Sequence, residues 1–352
     1  MESRSDWPAD WTGRSAVPIG VDEAFNGYVA AQIIFALDRL GLLEELLEHG
    51  QADVRAAAVR LGADQRMLGE LLRAAQTCGY VVLSDDVAAI TPAGRDMAFM
   101  RGYFTWAVGG YADLFGNIAG LISGDLRFNG DVFRDEAMVA LGAGQNDRAF
   151  MAGTVDQVVG QLDFTVLADL GSGVSTRLCR VAAACGGARG VGLDISDAAT
   201  RLAQDVIRRA GLDGNVQALR ADVLGLVTGT ENYPVLAEVD AVMSFFLLHD
   251  LLAAPGTRSR VMPGLREAFP KARTFVLADT MLRPAEPAGE TLPAGATLPV
   301  FSAGYELAHA LMSVPLHTKD TYEALFAQAG LRTRQVLAFG TPHSWLYVLD
   351  AD

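Results

Sequence analysis

Two short stretches place reactive side chains among apolar residues. "SFFLLHDLL" (Ser244 to Leu252) runs apolar into His249-Asp250 and then turns apolar again. "PVFSAGYELAHALM" (Pro299 to Met312) holds His309 among apolar neighbours. An adjacent His-Asp pair ending a buried run has three readings. It is a polar turn, a base oriented by its neighbour, or a pair of metal ligands. His309 by itself reads first as a satisfied core or rim residue. The two histidines and Asp250 together form a facial set that leaves three metal positions open, suited to iron and usable by zinc.

A second group of residues suits a nucleoside. "VLADLGSGVSTRL" puts Asp169, Gly171 and Gly173 directly after a strand and before a helix, where glycines let a ligand approach the backbone. "GVGLDIS" ends the next strand in Asp194, a carboxylate able to accept both hydroxyls of a ribose. "ALRADV" ends a third strand in Asp222, placed to meet an adenine amino group. Val223, next in the chain, and Ser244 complete this candidate set. GxG alone is a weak signal. The succession strand–GxG–helix–strand–Asp–helix–strand–Asp is a much stronger one.

The elements that must position these residues follow from the pattern. Beyond residue 161, short β-branched runs ("TVLADLG", "RGVGLDI", "NVQALRAD", "VDAVMSFFLL", "RTFVLADT") alternate with helical stretches, which means βαβ units and a parallel sheet. Pro284 to Pro299 is rich in Pro, Gly and Ala and reads as an inserted loop, a candidate lid at the sheet's carboxyl edge. Residues 1–20 read as a flexible arm. Asp22 to Leu47 has helical spacing with a break at Gly41, and its wide apolar surface suits burial against another subunit. "ADVRAAAVRLG" and "ADQRMLGELLRAAQTCG" read as two helices ended by glycine. A hairpin follows, with Asp85-Asp86 near its turn. This is a winged-helix pattern, taken as a dimerisation wing because acids accompany its few arginines. Residues 98–160 read as mostly helical. The division expected is 1–160, helical and winged, and 161–352, an α/β domain with helices on both faces of a Rossmann-like sheet.

Composition narrows the partners. The 352 residues are 51% hydrophobic and carry a net charge of −14, which repels nucleic acid and anionic lipid surfaces. The three cysteines, Cys78, Cys179 and Cys185, lack CxxC spacing, which suggests a reducing compartment without a disulfide framework. No secretory signal or apolar run long enough to span a membrane is visible. The expectation is a cytoplasmic enzyme acting on a small molecule.

Residues 161–352 resemble the class I S-adenosylmethionine (SAM)-dependent methyltransferases. With the helical half included, nearly the whole chain resembles the dimeric small-molecule O-methyltransferases. That type binds SAM through positions matching Asp169, Gly171, Asp194 and Asp222. Its fourth strand leads into His-Asp-Trp and further acids, and the His deprotonates a hydroxyl. Here "HDLLAAPG" lacks the Trp and the acids, and no companion acid for His249 is evident. A narrower resemblance rests on "GSG", "HD", "REAFPKARTFVLADT" and "LPVFSAGYELAHALM" together. It is to the α-keto acid C-methyltransferases, which methylate the β-carbon of keto acids for β-methyl amino acid precursors in natural-product pathways. That resemblance implies metal ligands at His249, Asp250 and His309. It also implies an Arg for the substrate carboxylate at Arg134 in "DVFRDEA" and a pocket Trp at Trp106. Tyr111, Phe246 and Met312 are further pocket candidates. Their apolar character favours a hydrophobic keto acid such as 4-methyl-2-oxopentanoate or phenylpyruvate. An O-methyltransferase with His249 as general base is the alternative.

Overall fold

Glycine and short polar residues punctuate the first half of the chain. Helix Val21–Arg39 gives way to Leu42–His49 at Gly41, whose φ of 73° favours glycine. Asp53 caps helix Val54–Leu61 by accepting from the Ala56 N–H, and Asp64 caps Gln65–Thr77 by accepting from Met67. The computed structural model describes residues 17–254, 256–283, 301, 304–340 and 343–351. Strands β1 (Gln51–Asp53), β2 (Val81–Ser84) and β3 (Val87–Ile90) form an antiparallel sheet in the order β1-β3-β2, with Asp85 in the turn at φ 52°. Ala52 and Asp53, read from the sequence as the start of a helix, belong instead to a strand paired with β3. Leu37, Leu42, Leu43 and Leu46 are wholly buried in the core of this part, each stabilising it by roughly 1.5–3 kcal/mol. Val21, Phe25 and Tyr28, on the first helix, stay exposed.

Residues 92–123 and 136–159 are mainly helical, with two π turns, Thr105–Gly110 and Asp147–Met151, and a loop that carries Arg134 lies between them. Trp106 lies in the first π turn. Helix Glu136–Asn146 passes so close that a β-carbon on Gly142 would stand 2.6 Å from Trp106 Cδ1, so only glycine fits there.

The second half builds a seven-stranded sheet from β4 (Val166–Leu170), β5 (Arg189–Asp194), β6 (Val216–Arg220), β7 (Ala241–Phe245), β8 (Thr274–Thr280), β9 (Leu331–Ala338) and β10 (Ser344–Ala351). The spatial order is β6-β5-β4-β7-β8-β10-β9. β4 to β8 are parallel, and β10 runs antiparallel to both β8 and β9. Strand order reverses at β4, which opens a crevice at the carboxyl edge. Val166, Ala168 and Leu170 of β4 enter one apolar core and Leu167 the other, so both faces of the sheet are covered. The sequence reading found five of these strands and missed β9 and β10. β9 is largely exposed, which leaves no clean alternation of apolar and polar residues.

One boundary differs at a chemically important place. β7 stops at Phe245, Phe246 turns the chain at φ 59°, and helix Leu248–Ala253 begins. His249 therefore sits in the first turn of a short helix and not on the strand end. The proposed lid, Pro284 to Pro299, and residues 1–16 of the expected arm lie outside the described residues. Among the described residues no helix is long and apolar enough to cross a membrane.

Candidate active site

After β4, the chain passes through three left-handed positions within five residues: Gly171 (φ 67°), Gly173 (φ 55°) and Ser175 (φ 56°). The loop is pinned on the end of β5. Gly171 and Ser172 donate their N–H groups to Leu193 O at 2.8 and 3.0 Å, and Gly173 N–H donates to Asp194 Oδ2 at 2.8 Å. A β-carbon on Gly192 would fall 2.7 and 2.8 Å from the hydroxyls of Ser172 and Ser175. Gly192 is therefore what lets the loop lie on the sheet. Its role is not legible in the sequence because it depends on serines in the loop after the neighbouring strand, β4.

Asp194 also accepts from Ser196 N–H at 2.9 Å. One donor on each oxygen leaves each a lone pair for a vicinal diol. Burial raises its pKa, against the pull of the two backbone donors. Gly171, Gly173 and Asp194 line a cavity of about 280 Å³. Asp169 lies wholly buried behind them, and neither of its oxygens has a hydrogen-bond partner. Burial pushes its pKa up to about 7, although the Arg177 guanidinium at 3.9 Å pulls the other way. A glycine-rich loop, a diol-accepting carboxylate and an orphaned buried acid fit the adenosyl and amino-acid ends of SAM. Three residues of the expected set stand apart from the cavity. Asp222 caps helix Val223–Thr228, accepting from Leu224 N–H at 2.9 Å. Val223 packs in the sheet core. Ser244 is fully buried and donates to Leu170 O at 3.3 Å.

The reactive set lies across the same cavity, which His249, Asp250 and His309 all line. His249 Nδ1 is 2.7 Å from Asp279 Oδ1, and its backbone N–H donates to Asp279 Oδ2 at 2.8 Å. Asp279 is the companion acid that sequence reading did not find. It stands near the end of β8, whose Ala278 pairs with Phe245 of β7. It was in view within "VLADT" and became a partner only through that register. It also accepts from the Tyr322 hydroxyl at 3.1 Å and from Thr280 N–H at 2.9 Å. Burial opposes a charge on His249, but Asp279 and Asp250 outweigh it and hold the pKa up, at about 9.

His309, on helix Tyr305–Leu311, has Nδ1 2.7 Å from Tyr305 O. A carbonyl only accepts, so Nδ1 carries the proton and Nε2 keeps its lone pair. Burial, with His249 beside it, pushes this pKa down to about 4. The two imidazoles stand edge to face, 4.7 Å between centroids at 79°. Asp250 Oδ2 is 3.8 Å from His249 Nε2. His309 thus has Nδ1 engaged and Nε2 free. His249, with Nδ1 on Asp279, offers Nε2 only on giving up a proton, as a ring does when it binds a metal. Acceptors on Nδ1 are what orients metal-ligating histidines. Among the described residues no group of three or more His, Cys, Asp and Glu side chains is drawn together tightly enough to be a formed metal site.

The remaining walls are aromatic and basic. Phe301 stands 6.2–6.4 Å, centroid to centroid, from Trp106, Tyr111, Phe115 and Tyr305. Trp106 Nε1–H donates to Val139 O at 2.8 Å. Phe246 lines the cavity and stacks on Phe339 at 6.1 Å. Met312 packs behind Tyr111 and does not line the cavity. Arg134 lines it, with its Cζ 5.9 Å from the Tyr111 ring and its Nε and Nη2 3.2 Å from Glu136 Oε1. Three lining acids are ion-paired: Glu136 with Arg134, Glu306 with Arg283 at 2.6 Å, and Asp147 with Arg177 and Arg180 at 2.7 and 2.6 Å.

No family model matches the chain. Over 326 residues it is 26% identical to Methyltransferase ungE' of Aspergillus campestris, an alignment covering 92% of this chain and 93% of that one. Over 315 residues it is 27% identical to the 2-ketoarginine methyltransferase of Streptomyces arginensis, covering 88% of each. Among solved structures, human N-acetylserotonin methyltransferase in complex with SAM shares the fold. It matches with a TM-score of 0.63 at 15% identity, over 94% of this chain and 96% of that one. The sheet order, the glycine loop and these likenesses define the class: the chain is a SAM-dependent methyltransferase.

Proposed function

We propose that this enzyme transfers the methyl group of SAM to the β-carbon of a hydrophobic α-keto acid. The product would be a precursor of a β-methyl amino acid for natural-product biosynthesis. The observation that carries the reading is the pair of buried histidines from separate segments. Each has Nδ1 engaged, by Asp279 or by Tyr305 O, and each can offer Nε2, His249 on giving up a proton, to a shared neighbour beside Asp250. His249, Asp250 and His309 would hold one iron or zinc ion, which supplies Lewis acidity toward a keto oxygen. The relative named for a keto acid substrate supports the same reading.

This chain's own residues supply the rest. Arg134 grips the substrate carboxylate, for which a planar fork is suited. Trp106, Tyr111 and Phe246 surround its side chain. Glu136, Glu306 and Asp147 are already paired, so they offer little to a cationic side chain; this favours 4-methyl-2-oxopentanoate or phenylpyruvate. The glycine loop and Asp194 hold the adenosyl group so that methyl, sulfur and β-carbon align. The sulfonium is already a good leaving group. Residues 1–160 form the dimerisation half, its winged-helix segment structural, and the exposed Val21, Phe25 and Tyr28 meet a second copy. Residues 161–352 form the catalytic half, and the enzyme works in the cytoplasm.

A SAM turnover screen over keto acids, with and without chelator and with products identified by NMR, tests this. Methyl on carbon and loss of turnover on metal removal are expected; methyl on oxygen refutes it. One observation favours a second reading: the Asp279–His249 pair is also how a general base is held in one tautomer. Under that reading His309→Ala leaves methylation of a phenol intact. Under the first it abolishes turnover of the keto acid.

A further inference from the structure

We infer that Arg177 binds the carboxylate of the cofactor's amino-acid end. This rests on the assignment of the glycine-loop cavity to SAM. The helix that follows the loop, Thr176–Ala184, brings Arg177 to the cavity wall beside Gly171 and Gly173. Its side chain is 12% exposed. Two contacts fix the plane of the guanidinium. Nε donates to Asp147 Oδ1 at 2.7 Å, and Cζ sits 3.8 Å from the centroid of the Phe245 ring. The outer nitrogens are not used in this way. Nη1 is 3.9 Å from Asp169 Oδ1, beyond a hydrogen bond, and among the described residues neither Nη1 nor Nη2 has an acceptor. Asp147 is shared with Arg180, so it does not belong to Arg177 alone.

A buried guanidinium held by one edge and one face presents its other edge as a preformed fork. Such a fork matches a carboxylate by two parallel N–H···O bonds. Two anions enter the proposed reaction, the keto acid and the amino-acid end of SAM. Arg134 lies against Tyr111, on the wall of the aromatic pocket. Arg177 follows the glycine loop by four residues and lies over Phe245, on the same cavity wall as the loop. The division gives each carboxylate its own arginine.

Calorimetric titration of the full chain with three ligands tests this. S-adenosylhomocysteine carries the carboxylate and the ammonium, decarboxylated SAM carries the ammonium only, and 5′-methylthioadenosine carries neither. Arg177→Met should weaken S-adenosylhomocysteine by roughly tenfold to a hundredfold, the range of a charged hydrogen-bonded pair. Decarboxylated SAM and 5′-methylthioadenosine should bind it as they bind the parent. Arg177→Lys, which keeps the charge without the fork, should fall between. If all three ligands weaken together, Arg177 only shapes the cavity and the inference is overturned. Unchanged S-adenosylhomocysteine binding overturns it too. A parent chain that binds none of the three would instead remove the cofactor assignment.

Discussion

Asp279→Asn is the substitution with the most to reveal. The carboxylate is 1% exposed and takes four donors: His249 Nδ1 at 2.7 Å, His249 N–H at 2.8 Å, Thr280 N–H at 2.9 Å and the Tyr322 hydroxyl at 3.1 Å. An amide of the same shape accepts on one side only. If its oxygen faces Nδ1, its NH₂ meets the His249 backbone N–H, donor against donor. If it turns over, its NH₂ faces Nδ1 and drives the imidazole proton to Nε2. The second orientation removes the lone pair that either proposed role of His249 requires. A charge-assisted hydrogen bond contributes roughly 1.5–3 kcal/mol, and a residue that orients a metal ligand typically carries about 10- to 100-fold in affinity or activity. The expected result is therefore a fall of about that size in kcat/KM and in metal affinity. SAM binding should be unaffected, because Asp279 does not line the cofactor cavity. Steady-state kinetics, metal competition titration and calorimetry with S-adenosylhomocysteine measure the three. Parent-like kcat/KM together with parent-like metal affinity would refute the reasoning that Asp279 sets the tautomer of His249.

Arg134→Met should lower kcat/KM for the keto acid by about 10- to 100-fold through KM; an unchanged KM removes Arg134 from the substrate site. Gly192→Ala should weaken S-adenosylhomocysteine at least about tenfold. The new methyl meets two serine hydroxyls at 2.7 and 2.8 Å and must lift the loop. Parent-like affinity would mean that the loop's seat on β5 is not needed. Asp169→Asn tests the buried acid by pH. Burial, opposed by Arg177, raises its pKa from 3.8 to about 7, so between those values the folded chain holds a proton that the unfolded chain has released. Stability is therefore lost as pH rises through that window, on the order of 4 kcal/mol when the window is complete. The ligand-free Asn variant should gain thermal stability over the parent at pH 8 and much less at pH 4, and an equal gain at both would contradict the assignment.

Short-range features of this chain were legible in its sequence. Gly171 and Gly173 follow β4 and Asp194 ends β5, and β4, β7 and β8 are buried, mainly apolar runs. The missing pieces depend on register or on solvated pattern. Asp279 belongs to His249 because β8 lies beside β7, a pairing 30 residues apart in the chain. Gly192 has meaning only against serines of another segment. The run through Phe245 and Leu248 gave no sign that Phe246, a bulky residue, would adopt φ 59° and end the strand early. Asp222 and Ser244 are polar residues near strand ends, as cofactor ligands would be, yet their side chains meet backbone, one as a helix cap and the other on Leu170 O of the neighbouring strand.

The cavity draws its two kinds of wall from different parts of the chain. Trp106, Tyr111 and Arg134 come from residues 92–159, the helical stretch ahead of the sheet, whereas the histidines, Asp250 and the glycine loop follow β4. Under the proposed function, Trp106, Tyr111 and Arg134 would choose the acceptor from one stretch of sequence, joined by Phe246 from the stretch that carries the histidines. On that reading, point changes at Trp106 or Tyr111 would retune the acceptor while leaving in place the histidine pair and Asp147, which holds Arg177.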